Sequence, residues 1–496
     1  MKHRFWEIVP GAAAWATLII LVLFSRYLPA FVVIFILFYD LYWLLRVVYF
    51  FFHLSFSFRE MRARMKINWF YKLEREKAGS WETIVHLIVL PVYHEPWTVI
   101  RRTMVSLAEA NYPKEKMFVV LATEERGGPD DAAMAAEAER EFGSSFGALL
   151  VTRHPAGLPH ESPGKGSNET WATRAAVETL VHPRHLDPMN VIVSVFDSDT
   201  RPGPDYFGLL THEFLSNPKS GRASFQPVPI YVNNLATSPF VAHIVGFSST
   251  FWQLMQSSRP DQLVTFSSHS MPLSALMEIG YWDTDLVSED SRIFFQCLAH
   301  FNGDWRTVPL FYPVYMDAVV GKDFWNSLKN LYLQQRRWGW GAENLARFAV
   351  DTKRRKDFPR KTRRFWLWVM FDGFYSWSTS AIVIFVFGWL PNVLGNDAFR
   401  ASLVSYNLPR MTGLILNFSL VGIIALALWS AAILRTETEG ISRLGYLLYI
   451  LGWVLTPLTT IIFGAIPALE SQTRLVLGGR YRLGFWKTPK TVNESR

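Results

Sequence analysis

The sequence predicts an α/β domain on a mostly parallel sheet, combined with an α-helical transmembrane domain. Three observations carry this. Strand-like and helix-like segments alternate through the middle of the 496 residues, long apolar runs flank them, and the run Val191 to Val195 stops soon before two carboxylates, Asp197 and Asp199. The turn-forming stretch Arg201-Pro202-Gly203-Pro204 follows at once.

The alternation begins with Ile84 to Leu90, a β-rich apolar run read as a strand. Glu95 to Ala110 reads as a helix, Met117 to Ala122 as a strand, Asp130 to Phe142 as a helix and Leu149 to Thr152 as a strand. Asn168 to Val181 follows as a helix and leads to the central strand at Val191. A βαβα order implies parallel neighbours joined by crossover helices, a nucleotide-binding architecture. The loops at Arg126 to Asp130 and Pro155 to Lys165, rich in Gly and Pro, are expected to line a site.

Half the residues are hydrophobic, and 38 Phe and 20 Trp exceed what a soluble core uses, which points to lipid. Apolar runs lie at about Ile8 to Phe24, Leu28 to Phe52, Phe365 to Leu390, Met411 to Leu434 and Leu444 to Leu469. Each is long enough to span ~30 Å of hydrocarbon, the first at the short limit. Lys2, His3 and Arg4 resemble the start of a signal peptide, but a second apolar run follows immediately, so the pair reads as an uncleaved hairpin.

Basic residues set the orientation. Arg59, Arg62, Arg64, Lys66, Lys72, Arg75 and Lys77 follow the second run, and eight of the twelve residues from Lys353 to Arg364 are Lys or Arg. The positive-inside rule puts both clusters, and the domain between them, in the cytoplasm of an integral membrane protein. Anionic lipid then accounts for the net charge of +8, and no nucleic-acid partner is expected. The one cysteine, Cys297, excludes an internal disulfide and fits a reducing compartment.

Five full crossings would leave the tail outside, against the evidence of Arg474, Arg480, Arg482, Lys487 and Lys490. One run is therefore expected not to cross fully, and Pro457 and Pro467 single out the last. Asp40 and Asp372 are ionisable groups at membrane depth, which face a bundle interior, a wet path or a polar partner. The expected organisation is a transmembrane hairpin over 1–56, a basic juxtamembrane segment over 57–79 and a cytoplasmic domain over 80–322. An amphipathic interface helix with a basic segment occupies 323–364, about three transmembrane helices 365–470, and a basic tail 471–496.

Asp197 and Asp199 would sit at the carboxyl end of a strand, where open α/β sheets bind ligands. Two carboxylates there suit Mg²⁺ or Mn²⁺ shared with substrate phosphates; the plainer alternative is an acidic turn. Pro91, Tyr93 and Glu95 follow the first strand and offer a stacking face and a carboxylate, or else a core filler and a helix-dipole partner. Gly164-Lys165-Gly166-Ser167-Asn168 permits close backbone approach and gives a point charge for a diphosphate, without the spacing of a Walker loop.

Ser288-Glu289-Asp290 opens a helix, where Asp290 is either a general base or, with Glu289, a dipole partner. Gln334, Arg337 and Trp338 share one face of a helix expected over about Phe324 to Phe348. Arg337 there suits a diphosphate and Trp338 a pyranose ring; otherwise Trp338 and Trp340 would lie at lipid headgroups.

In that order, ahead of C-terminal spans, Asp197-Ser-Asp199, Ser288-Glu289-Asp290 and Gln334-x-x-Arg337-Trp338 resemble the signature of processive family-2 membrane glycosyltransferases of the cellulose, chitin and hyaluronan synthase kind. The resemblance covers about Ile84 to Trp338. It implies a nucleotide-diphospho-sugar transferase fold, a nucleotide-sugar donor, with a UDP-sugar favoured by the resemblance, and a β-linked product made by inversion. Extension of a polysaccharide with export is the implied activity, and transfer of a single sugar to a lipid-linked acceptor is the alternative within enzymes; a catalytically inactive scaffold or transporter subunit is the remote one.

The resemblance also assigns roles. Pro91, Tyr93 and Glu95 would hold the nucleotide, Lys165 the diphosphate, Asp197 and Asp199 the donor and metal, and Asp290 would be the base. Gln334, Arg337 and Trp338 would hold diphosphate and acceptor. The chain departs from the pattern in reading Ala122-Thr123-Glu124-Glu125 where an aspartate usually contacts the base, which makes Glu124 the candidate. Ser288 replaces threonine, and Phe266-Ser267-Ser268-His269-Ser270 stands where a Gly-rich acceptor stretch is usual. The roughly 27 residues after Leu469 are too few for a cyclic-di-nucleotide-binding domain, so regulation of that kind would need another chain.

Overall fold

Strands rich in Val, Ile and Leu with no polar face belong in the middle of a sheet covered on both sides, and three of the four read from the sequence are buried along their whole length. They are β1 (Val85–Pro91), β2 (Met117–Glu124) and β4 (Val191–Val195), with β3 (Ala148–His154) at the edge. The computed structural model describes residues 2–235, 237–437, 443–484, 486 and 488. Within them β5 (Arg201–Pro202), β6 (Ala223–Tyr231), β7 (Ser270–Pro272) and β8 (Arg306–Met316) complete an eight-stranded sheet of order β3-β2-β1-β4-β7-β6-β8-β5.

The half from β3 to β4 is all parallel, with Val89 facing Val120 on one side and Val195 on the other. The chain moves outward from β1 to β3 and returns to the far side of β1 as β4. The gap between the carboxyl ends of β1 and β4 is thus the switch point at which open sheets bind ligands. Beyond β4 the sheet is mixed, because β7 runs antiparallel to both β4 and β6.

The two-residue period of β1 divides the core. Ile88 and Leu90 pack into one cluster with Ile100, Met104 and Phe142 of the helices Trp97–Ala108 and Gly128–Phe142. Leu87 and Val89 pack into the other with Ala172 of helix Lys165–Ala176 and Phe294 of helix Glu289–His300. The second cluster continues through Leu345 and Phe348 to Trp366 and Met370 of helix Arg360–Phe385, so the sheet and the apolar helices share one core.

Two expectations change. The helix expected over Phe324 to Phe348 is two helices, Phe324–Gly339 and Glu343–Arg354, joined by a tight turn at Trp340–Ala342. Glycines 339 and 341 weaken the helix there, and a Cβ on Gly339 would lie 3.0 Å from the Ala468 backbone, so the close approach of another helix selects glycine. Trp340 is 2% exposed and donates Nε1–H to Glu343 at 2.9 Å, which removes it from the headgroups.

The sharp bend among the apolar runs also lies elsewhere. Among the described residues four helices are long and apolar enough to cross a membrane: His3–Tyr27, Pro29–Arg64, Leu403–Ile433 and Tyr449–Leu477. The 45° break falls in the third run, between Arg360–Phe385 and Phe387–Leu394, and makes a fifth span if that pair counts as one. In the last run Pro457 and Pro467 stand just after a 3₁₀ turn at Trp453–Leu455 and a π turn at Ile461–Ala465, local changes of pitch that accommodate the missing N–H groups within one helix.

The start and end of the described chain lie side by side. Arg4 donates to the carbonyls of Leu475 and Val476, Glu7 pairs with Arg482, and Trp15 Nε1 donates to Thr473 Oγ1 at 2.8 Å. Of the basic tail, Lys487 and Lys490 lie outside the described residues. Asp372 has a polar partner, Arg46 at 3.3 Å, whereas Asp40 is buried and its Oδ1 makes no hydrogen bond.

Candidate active site

A cavity opens at the carboxyl ends of β1, β2 and β4. Its wall contains Pro91, Tyr93, Glu95, Glu124, Lys165, Asp197, Asp199, Asp290, Gln334, Arg337 and Trp338. Glu289 is off this surface, buried behind it. Six stretches separated by up to about 240 positions therefore meet in one place.

Each arrives for a local reason. After β1, the Tyr93 amide donates to Glu95 Oε2 at 2.6 Å, and His94, with φ of 58°, donates its amide to Asp131 Oδ1 at 2.9 Å. The turn so fixed presents Tyr93, over which the Arg126 guanidinium lies 4.9 Å from the ring centre. Arg126 also pairs with Glu124 at the end of β2. Burial pushes the Glu124 carboxyl up and Arg126 pulls against it, so this corner joins an aromatic face, a cation and a carboxylate acceptor. Asn168 holds the helix Lys165–Ala176 to β2 through the Ala122 carbonyl at 2.7 Å.

Lys165 is the hub. Its Nζ lies 2.8 Å from Asp197, 3.1 Å from Asp290, 3.4 Å from Glu169 and 3.9 Å from Glu289. Burial opposes its charge, yet the four carboxylates, Asp197 foremost, hold its pKa well above the ordinary lysine value. Burial, followed by neighbouring negative charge, pushes Glu289 and Glu169 up; for Glu169 the Lys165 charge opposes it. Glu169 is fully buried, and neither of its oxygens makes a hydrogen bond.

Gly166 is required beside that hub, because a Cβ there would come 2.8 Å from the Asp283 carbonyl and 3.2 Å from the Glu289 Cβ. Gly166→Val is expected to destabilise the protein by about 1–3 kcal/mol through overpacking and to impair the site, checked by thermal unfolding and activity together.

The other acids are anchored from the mixed half of the sheet. Ser267 donates to Asp197 and the Asp317 amide donates to Asp199 Oδ2 at 3.1 Å. Gln226 of β6 accepts from the Phe266 amide at 2.8 Å and donates to the Ser267 carbonyl at 3.1 Å, which pins the stretch that departs from the family pattern. Helix Phe324–Gly339 is clamped to helix Ile466–Leu477 by Arg336 and Tyr332 on Glu470, at 2.8 and 2.7 Å.

The residues fit a divalent cation. Asp197 and Asp199 put hard oxygen donors on the cavity wall, with Asp317 beside them. A second acidic group, Glu169, Glu289 and Asp290, has carboxylate oxygens within 4.8 Å of one another. It is the poorer candidate, because Glu169 and Glu289 are buried behind the cavity wall, whereas Asp199 lies on it and is not among the carboxylates the Lys165 ammonium pairs with.

Several wall residues carried no sequence signal of their own. Tyr231 and Asp317 come from the ends of β6 and β8, whose strand pairing is not local, and Thr488 comes from a tail whose composition says only that it is basic. Glu169 had a signal, its i+4 spacing from Lys165 on one helix face.

An α/β sheet with a switch-point cavity lined by paired acids and basic side chains defines an enzyme of the group-transfer kind. The sequence model for Glycosyl transferase family group 2 matches residues 192–469, more than half of the chain, and the protein belongs to that family and is a glycosyltransferase. No curated protein matches the sequence.

Among solved structures, the mannosyltransferase PcManGT from Pyrobaculum calidifontis, in complex with GDP-Man and Mn²⁺, is similar at 15% identity. Its TM-score is 0.39, and the match covers 82% of this chain and 99% of that one. S. aureus TarS 1-349 with UDP-GlcNAc is similar at 14% identity and a TM-score of 0.37, over 68% and 89% of the two chains.

Proposed function

We propose that this glycosyltransferase uses a nucleotide-diphosphate sugar, at the cytoplasmic face of a membrane, to extend a β-linked polysaccharide by single inverting displacements. The observation that carries the reading is the meeting of Asp197 and Asp290 on one ammonium, with Trp338 on the same cavity wall. The donor's diphosphate lies by Lys165 and Arg337, and the base against Tyr93, Arg126 and Glu124. Asp199 and Asp197 would hold a divalent cation, which would supply neutralisation of the leaving diphosphate.

Trp338 stacks on the acceptor sugar and Asp290 accepts the proton of its hydroxyl. That oxygen bonds to the anomeric carbon from the face opposite the diphosphate, the bond to the β-phosphate breaks, and an α-linked donor gives a β-linkage. Lys165 and Arg337 balance the charge that develops on the departing diphosphate.

Extension and export draw on the same arrangement. The helix bearing Gln334, Arg337 and Trp338 is clamped to the last apolar helix, so the acceptor end of the cavity adjoins the membrane bundle.

The test is incubation of the purified protein with UDP- and GDP-sugars plus Mg²⁺ or Mn²⁺, followed by sizing of the product. A ladder of glycans is expected from one donor. A single lipid-linked sugar would replace extension by one-step transfer, and failure to consume any donor would overturn the proposal.

A further inference from the structure

Ser288 stands at the N-cap of the helix Glu289–His300, where a serine hydroxyl ordinarily accepts from the amides of the first turn, but it makes no such bond. It donates instead to Glu343 Oε1 at 2.9 Å, a residue 55 positions further on. The Val287 amide points to the same oxygen at 3.4 Å, and the other oxygen accepts from Trp340 Nε1 at 2.9 Å. Glu343 is 6% exposed, so this acceptor-only group is buried among three donors with no water needed to satisfy it.

The same helix, Glu343–Arg354, grips the Asp290 turn twice more. Asn344 Nδ2 donates to Ser291 Oγ at 3.0 Å, and Asp351 pairs with Arg292 at 2.6 Å. It begins one tight turn after Trp338. The turn that bears Asp290 is thus tied to the segment that bears Gln334, Arg337 and Trp338, and Glu343 is the knot.

We propose that Glu343 is a positioning residue for sugar transfer, holding the Ser288-Glu289-Asp290 turn at a fixed place relative to the Trp338 helix; this rests on the reading of Asp290 as the base. Displacing a catalytic group by 1 Å can cost about 100-fold in rate. Glu343→Ala in the full-length protein is therefore expected to lower kcat by about 100-fold while nucleoside diphosphate affinity and donor KM stay within about twofold. Glu343→Gln keeps an oxygen for Ser288 and Val287 but sets its NH2 against the Trp340 N–H, which loses its acceptor; because the link to Ser288 survives, kcat should stay within about tenfold of the parent.

Ser288→Ala should lose part of the rate, and the double variant Ser288→Ala/Glu343→Ala should be no worse than Glu343→Ala alone, because both changes cut one link. Full activity in Glu343→Ala, a parallel loss of nucleotide binding, or additive losses in the double variant would each overturn the role. Asp290→Asn in the same series separates the two ideas. Retained transfer there removes the base assignment and the positioning role with it, whereas its loss beside a fully active Glu343→Ala removes the positioning role only.

Discussion

Asp290→Asn is expected to lower sugar transfer by about 10²–10⁴-fold, the contribution of a positioned general base, and to leave donor binding close to that of the parent. The amide keeps the size of the carboxyl and cannot accept the acceptor's proton. Lys165 still has Asp197 at 2.8 Å and Glu169 at 3.4 Å, so the hub stays assembled. Initial rates with a labelled donor, set beside calorimetric titration of the nucleoside diphosphate, check both halves. Loss of both together would mean that the site had come apart.

Lys165→Met has the second large effect, on stability as well as on rate. Removing one partner of a buried ion pair leaves the other uncompensated, at a cost of about 3–5 kcal/mol. Here one ammonium serves four carboxylates within 3.9 Å. The pH dependence has a definite sign. The Glu169 pKa is raised in the folded protein, so the folded state binds more protons than the unfolded one above the ordinary glutamate value of 4.5, and stability from this group falls as pH rises. Without the lysine charge that opposes this shift, the variant should regain stability on acidification from neutral pH more steeply than the parent. Thermal unfolding in detergent at a series of pH values reads this, and a variant as stable as the parent at neutral pH would contradict the hub.

Much of the parallel half of the sheet was legible because its strands are continuous apolar runs closed by turn residues, and its helices carry apolar faces at the right period. Asp197, Asp290 and Trp338 were legible as candidates because acids at a strand end or helix start and an Arg-Trp pair on one face are local patterns. Their convergence was not readable from composition or period, since it depends on β7, only three residues long, turning the mixed half of the sheet toward β4. Ser288 shows the other limit. Its sequence position predicts an N-cap, and only the fold reveals that its hydroxyl has a distant partner in Glu343. The break at Trp340–Ala342 was hidden likewise, because an approaching helix at Ala468 selects Gly339.

The clasp between Arg4 and the carbonyls of Leu475 and Val476 has a consequence for biosynthesis. Those carbonyls belong to the last turn of a helix and need donors from outside it. Arg4 precedes these acceptors by some 470 residues, so the first helix can pack on the second, through Leu18, Leu21, Val32 and Ile36, long before this clasp can form. Closing so long a loop is slow. The helix that seats the Trp338 segment through Glu470 is therefore tied to the first helix only once the chain between them has been made.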